Sequence, residues 1–123
     1  MSRVARTSRL IVDGMNVVGS RPDGWWRDRQ GAMRRLVGGL GSLESDAPVV
    51  VVFDGAPFSV DSADGVEVRF ASRRGQNAAD DDIAAMAGSG DTVVTSDADL
   101  ARRVRDRGAE VVGAGEFRRR LDG

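Results

Sequence analysis

Residues 49–54 read VVVVFD, four valines and a phenylalanine that end on an aspartate. A continuous apolar run rich in β-branched residues is typical of a strand buried on both faces of a parallel sheet. Residues 9–13, RLIVD, repeat this pattern near the start of the chain, and residues 92–95, TVVT, repeat it towards the end. The sequence therefore predicts three parallel strands at the centre of the fold.

Two more strands and several helices occupy the remaining segments. Val66–Phe70 alternates apolar and charged residues, which predicts a half-exposed strand near a sheet edge, and residues 109–112 predict a fifth strand. The predicted helices span about residues 26–43, 79–87 and 98–107, and a short terminal helix includes Phe117 and Leu121. Strands that alternate with helices predict a three-layer, Rossmann-like α/β fold, a parallel sheet of about five strands with helices on both faces.

The connection between Asp54 and Val66 could in principle be a hairpin, because Asp-Gly is a strong turn dipeptide. It is too long for a tight two-residue turn, and it contains Pro57. We therefore expect a wandering loop and parallel strands on either side of it.

Length and composition are those of one globular domain. The chain has 123 residues, of which 41% are hydrophobic and 30% are charged. We expect a single domain over residues 1–123, with residues 1–8 forming a flexible basic N-terminus. No run approaches the roughly 18 apolar residues of a membrane span, and the start of the chain lacks the apolar stretch of a signal peptide. With no cysteine, the expected localisation is cytoplasmic. The oligomeric state is left open.

Four residue types are missing, and their absence excludes several kinds of chemistry. The chain contains no Cys, His, Tyr or Lys, so all 18 basic residues are Arg. Cysteine nucleophiles, Ser–His pairs, Schiff-base lysines and histidine zinc sites are therefore excluded. Chemistry has to rest on carboxylates and hydroxyls, which are hard oxygen ligands that favour Mg²⁺ or Mn²⁺. Water activated by such an ion can replace a histidine base.

Aspartates follow the predicted strands or begin the helices after them. Asp13, Asp54 and Asp97 come at the carboxyl ends of strands, which meet at one sheet edge, and Asp80 begins a helix. Each alone could be a turn residue or a helix cap. Together they predict a metal site, since packed carboxylates repel one another without a cation. Asp91 precedes its strand and is predicted to lie at the opposite end.

Other phosphate-handling families fit poorly. A haloacid-dehalogenase-type phosphatase has an aspartate where Met15 stands and requires a lysine, and a response-regulator receiver also requires a lysine. The chain contains neither a P-loop GKS or GKT motif nor G-x-G-x-x-G after its first strand. A metal-dependent phosphodiester hydrolase is the interpretation that fits these residues.

The chain resembles the NYN (YacP-like nuclease) family, a branch of the PIN-like ribonucleases. The resemblance rests on four motifs that occur in this order: VDGMNVV, VVFDG, NAADDDI and VVTSDADL. The resemblance covers about residues 10–121. It implies a PIN-like fold in which Asp13, Asp80 and Asp97 bind a divalent metal and Asn16 lies beside the site. Which acid of residues 80–82 is the ligand stays open, because this chain has three acids where some relatives have two.

The predicted function is that of an endoribonuclease that hydrolyses RNA, expected to be single-stranded, with Mg²⁺ or Mn²⁺. Asp54 and Asp99 are predicted to support the three metal ligands or to bind a second metal ion. Of the two, Asp99 is counted as a metal ligand. Asn16 and Ser96 are predicted to orient phosphate or water. A catalytically inactive PIN-like module that binds RNA or protein is the alternative.

Positive and aromatic side chains are candidate RNA contacts. Arg73 and Arg74 lie in the loop before the acidic helix and are predicted to bind phosphate, although a solvated loop is the competing interpretation. Trp25 and Trp26 could stack on bases. Large aromatic side chains are usually buried, so one of the two is expected to pack on the core.

Overall fold

Five parallel strands form one sheet in the computed structural model, which describes residues 8–43, 47–61, 63–73, 75 and 77–122. Arg74, predicted to bind phosphate, and most of the expected basic N-terminus, residues 1–7, lie outside the described residues. The strands are β1 (Leu10–Asp13), β2 (Val49–Phe53), β3 (Val66–Phe70), β4 (Thr92–Val94) and β5 (Glu110–Val112).

Helices connect these strands. They are α1 (Gly14–Val18), α2 (Arg29–Gly41), α3 (Ala78–Met86), α4 (Ala98–Arg105) and α5 (Ala114–Asp122), with a 3₁₀ turn at Trp25–Arg27 before α2. Asp28 caps α2 by accepting a hydrogen bond from the Gly31 amide at 3.0 Å. The helix predicted from residue 26 therefore begins three residues later than expected, after this separate turn.

The strand order is β3-β2-β1-β4-β5. The order in which strands are added therefore reverses beside β1, between β1 and β4. The chain first moves outward from β1 through β2 to β3, then returns to pair β4 with the other side of β1. In such sheets ligands bind at the carboxyl ends of the strands around this point. The parallel β2–β3 pair also confirms that the connection after Asp54 is a loop and not a hairpin.

Side chains of successive strand residues point to opposite faces, and each face is covered by its own helices. On one face, Val12 and Val51 pack with residues of α2 and α5 such as Leu40 and Phe117. On the other, Ile11 and Val50 pack with residues of α3 and α4, among them Ile83 and Leu100. The structure thus confirms the predicted three-layer α/β fold.

Helix α1 was not predicted, because it has five residues and too few turns to show helical periodicity. It begins at Gly14, directly after β1. A Cβ atom built on Gly14 would lie 2.4 Å from the Phe53 ring, well inside van der Waals contact. The Asp13-Gly14 pair, a possible turn in the sequence, is therefore a place where a helix starts in close contact with β2.

Asp91 lies at the opposite end of the sheet from Asp13, as predicted. Its side chain is buried and accepts hydrogen bonds from the Arg9 amide and the Gly88 amide, both at 3.0 Å, and it pairs with the Arg9 guanidinium at 3.3 Å. These contacts connect the start of β1 to the loop before β4.

Asp91→Asn is expected to lower the free energy of unfolding by about 1–3 kcal/mol, because a buried charge-assisted pair is lost. The activity of each folded molecule should stay unchanged, since the substitution is at the far end of the sheet. Urea denaturation and turnover normalised to folded protein measure the two effects separately. Equal damage to both would contradict a purely structural role for Asp91.

Candidate active site

Asp13 is the deepest acid at the carboxyl edge of the sheet. It ends β1, is 5% exposed, and accepts a hydrogen bond from the Thr95 hydroxyl at 2.9 Å. Burial raises the pKa of Asp13 from 3.8 to about 7, against the lowering effect of the Thr95 hydrogen bond and with further increases from the charges of Asp80, Asp54 and Asp97. The ionised form of Asp13 is therefore disfavoured unless a proton or a cation offsets its charge.

Asp80 faces the same group of acids from α3. Burial, followed by repulsion from Asp97 and Asp54, raises the pKa of Asp80 to about 6, while the Arg103 guanidinium opposes the increase. Four different elements contain or adjoin these acids, which interact through their charges: Asp13, Asp54, Asp80 and Asp97. We call these four residues the carboxylate cluster.

The other two members of the cluster also cap helices. Asp97 accepts a hydrogen bond from the Leu100 amide at 3.0 Å and caps α4. Asp54 accepts one from the Ala79 amide at 3.0 Å, in the first turn of α3. Asn77, at the N-cap position of α3, has a left-handed backbone with φ of 66° and makes no cap bond with its side chain. Asp54, the residue after β2, therefore accepts the hydrogen bond that the Asn77 side chain does not.

The donor set of the cluster suits a hard cation, although its geometry does not yet form a coordination shell. Its side chains offer only carboxylate oxygens, with the Thr95 hydroxyl beside them, and these are the ligands that Mg²⁺ and Mn²⁺ favour. Within the described part of the chain, no three acidic side chains are close enough to hold one ion as placed. A shared cation would require these carboxylates to move closer together.

The three acids of α3 have different surroundings. Asp81 pairs with Arg103 at 3.0 Å and with Arg73. Asp82 accepts hydrogen bonds from the Ser72 amide at 2.6 Å and the Ser72 hydroxyl at 2.8 Å. Of the three, Asp80 is the one whose charge acts on Asp13.

Asp99 is not placed with the cluster, so the structure gives no support to its predicted role as a metal ligand. Its side chain is 65% exposed and pairs with Arg102 one turn further along α4. Asp97 occupies the cap position, and a residue two positions further along a helix points about 200° away from it. That rotation turns Asp99 to the solvent.

Asn16 and Ser96 connect the loops around the cluster. The Asn16 side-chain oxygen accepts a hydrogen bond from the Ser96 amide at 2.7 Å, and the Ser96 hydroxyl accepts one from the Ala114 amide at 2.8 Å. These bonds join α1, the loop after β4 and the first residue of α5. Their predicted part in orienting phosphate or water stays a prediction.

The sequence motifs did not identify three residues as part of the site: Thr95, Arg29 and Arg103. Thr95 also accepts a hydrogen bond from the Asp97 amide at 3.1 Å, so it connects two acids of the cluster. Only the pairing of β1 with β4 reveals this role, because the two strands are far apart in the chain. Arg29 donates to the Asp54 carbonyl at 3.1 Å, across a distance in sequence that no motif spans.

An open groove of about 390 Å³ adjoins the cluster. Its lining residues come from α1, the 3₁₀ turn, α2, α3 and the loops before α3, and they are Met15, Trp25, Arg29, Asp54, Gly75, Asn77 and Asp80. Trp25 also packs against the hydrophobic core, while the neighbouring Trp26 is exposed. The expectation that one of the two tryptophans packs is confirmed.

Comparison with known proteins identifies both a family and a shared fold. Residues 42–116 match the family DUF188, described as "Uncharacterized BCR, YaiI/YqxD family". The chain is 48% identical over 65 residues to a UPF0178 protein of Rhodopseudomonas palustris (strain BisB18), a match that covers 47% of this chain and 42% of that protein. The chain thus spans less than half the length of that curated relative.

The fold is that of Rae1 (YacP) from Bacillus subtilis. The crystal structure of its W164L mutant superposes with a TM-score of 0.75 and 25% sequence identity, covering 94% of this chain and 75% of that one. A second crystal structure of Rae1 (YacP) gives a TM-score of 0.72 at 24% identity. The YacP-like part of the sequence resemblance is therefore confirmed for the fold, whereas the matching family is DUF188.

Across the described residues, every helix is too short or too polar to cross a lipid bilayer.

Proposed function

We propose that this chain, which belongs to the DUF188 (YaiI/YqxD) family, is a metal-dependent endoribonuclease of the NYN (YacP-like) type. The observation that carries the proposal is the carboxylate cluster. Four aspartates from distant parts of the sequence meet where the strand order reverses, and their burial and mutual repulsion raise the pKa of Asp13 to about 7. Such a costly arrangement is typical of a functional site.

Asp13, Asp80 and Asp97 would hold the metal ion, with Asp54 beside them. A bound Mg²⁺ or Mn²⁺ would supply Lewis-acid chemistry, which activates water and stabilises charge on the phosphate. Thr95 fixes the orientation of Asp13 through its hydroxyl. Arg29 and Arg103 flank the acids. Their positive charge would attract a phosphodiester backbone.

RNA is the proposed substrate, on the strength of the motif resemblance and the fold shared with Rae1 (YacP). The groove beside the cluster is open to solvent, and a single strand is proposed because its unstacked bases can lie against such a surface. Arg73, predicted to bind phosphate, lies at this side of the fold but is paired with Asp81. The expected cellular location is the cytoplasm.

A second candidate is a module that binds RNA without cleaving it. The absence of a preformed three-carboxylate shell among the described side chains favours it. The two candidates differ in one measurable property, since only the nuclease requires the cluster to bind a cation productively.

Hydrolysis of single-stranded RNA is expected to require Mg²⁺ or Mn²⁺ and to stop with chelator, because the chain has no His or Cys to activate water. Mn²⁺ at about a hundred times its dissociation constant should also stabilise the fold by about 2.7 kcal/mol. Cleavage assays and thermal melting measure the two effects. Asp91→Asn is the matched control that should keep the metal-induced shift.

Cleavage that continues unchanged in chelator would contradict the metal mechanism. Stabilisation by Mn²⁺ without any cleavage of RNA would instead favour the binding module.

A further inference from the structure

The 3₁₀ turn at Trp25–Arg27 presents an aromatic surface at the edge of the groove. Trp26 is 56% exposed, the only large hydrophobic side chain among the described residues with that much exposure. Its ring contacts the Trp25 ring in a T-shaped arrangement, with centroids 5.9 Å apart and planes at 85°. Trp25 in turn lines the groove together with Asp54 and Asp80. The exposed Trp26 indole thus contacts Trp25, which lines the same groove as Asp54 and Asp80 of the carboxylate cluster.

Backbone hydrogen bonds and packing hold this turn in place. The Arg27 amide donates to the Gly24 carbonyl at 3.0 Å and the Asp28 amide to the Trp25 carbonyl at 3.1 Å. Gly24 has φ of 81°, a conformation that suits glycine. The Trp25 ring packs against the core. Because the backbone and the neighbouring ring are fixed, keeping Trp26 exposed is a property of the fold rather than of a loose loop.

Positive charge accompanies the aromatic surface. The Arg27 guanidinium lies 6.0 Å from the centre of the Trp26 ring. Arg29, on the next turn, lines the groove and donates to the Asp54 carbonyl at 3.1 Å. An aromatic face beside arginines is the combination that binds single-stranded nucleic acid, with bases on the ring and phosphates on the cations.

We propose that Trp26 and Arg29 form a nucleotide subsite next to the carboxylate cluster, where Trp26 stacks on a base of single-stranded RNA and Arg29 binds the adjoining phosphate. The proposal rests on the proposed function, since it places the strand that the acids would cut. The subsite identifies the surface that would bind the RNA strand. Trp25, beside that surface, lines the groove together with Asp54 and Asp80.

Fluorescence anisotropy with labelled oligouridylate in Mg²⁺ tests the subsite. The parent protein is the full chain with Asp80→Asn, which should leave the RNA intact. A gel confirms that the RNA is not cleaved. Trp26→Ala should weaken binding about tenfold and Trp26→Phe much less, because stacking contributes on that scale and a phenyl ring retains part of it. An abasic oligomer of equal length should bind Trp26→Ala and its parent equally. Arg29→Gln should weaken both oligomers, whereas Arg34→Gln, an exposed arginine of α2 that contacts Ser59 and Phe58, should weaken neither.

The outcomes separate the subsite from the function. If Trp26→Ala binds oligouridylate as well as its parent does, the subsite is overturned while RNA binding stands. If sedimentation shows instead that Trp26→Ala only changes self-association, the surface is a protein contact and the subsite is also overturned. If the parent binds neither oligomer, the proposed function and the subsite both fail. Circular dichroism confirms that each variant is folded.

Discussion

Asp13→Asn is expected to abolish RNA hydrolysis and, in metal-free buffer, to make the protein more stable. Asp13 is buried among three other acids, so the substitution removes a metal ligand and a source of repulsion at the same time. The amide keeps an oxygen that can accept the Thr95 hydrogen bond. The loss of activity should exceed the roughly 10–100-fold that removing a mere partner of a metal ligand costs.

The stability effect should depend on pH in a defined direction. Because the folded protein raises the pKa of Asp13 from 3.8 to about 7, the folded state holds this proton more tightly than the unfolded chain. Below about pH 4 both states are protonated and the group contributes nothing. As pH rises towards 7 the unfolded state is favoured increasingly, up to about 4 kcal/mol at about 1.4 kcal/mol per pH unit. Asn at this position removes that decline.

Urea denaturation in chelator at several pH values, for the parent and for Asp13→Asn, measures this effect. The parent should lose stability from about pH 4 to 7 more steeply than the variant. Asp91→Asn is the matched control, a buried aspartate at the opposite end of the sheet, and it should lower stability. An Asp13→Asn protein that cleaves RNA normally would exclude the carboxylate cluster as the active site.

Asp80→Asn is expected to be inactive, whereas Asp81→Asn should keep most of its activity. Asp80 shares the cluster with Asp13, while Asp81 is occupied by Arg73 and Arg103. Asp82→Asn should fall between them, because Asp82 fixes the Ser72 end of the loop that leads into α3. Initial rates of cleavage at saturating Mn²⁺, with folding checked by circular dichroism, give the ranking.

An inactive Asp81→Asn beside an active Asp80→Asn would mean that the ligand is the other acid and that α3 binds metal through a different face. Reduced activity in all three variants, with matching losses of stability, would indicate that α3 contributes only to the fold.

The sequence was sufficient where apolar runs are continuous. The runs around Val50 and Val93 predict buried parallel strands, and the order of the motifs predicts which acids meet. It was insufficient where contacts join distant residues. Nothing in the local pattern shows that Thr95 would reach Asp13, or that Asp54 would cap α3, because both depend on which strands become neighbours.

Short elements were the other limit. The five residues of α1 contain too little repetition to distinguish a helix from a turn. Asp99 was predicted as a possible second ligand, but it lies two residues after the Asp97 cap and faces the solvent. The predicted start of α4, Ala98, agrees with the structure, so the rotation of about 200° that separates Asp99 from Asp97 was already implied by the sequence.

The hydrogen bond from Ala79 to Asp54 gives that aspartate two reasons to persist in evolution. Even without the proposed nuclease activity the residue would stabilise the fold, because removing it would leave the start of α3 without its cap. Asp80 makes no such bond to a helix end among the described residues. Retention of Asp54 in a related protein therefore carries little information about activity, whereas under the proposed function a substitution at Asp80 would accompany loss of cleavage.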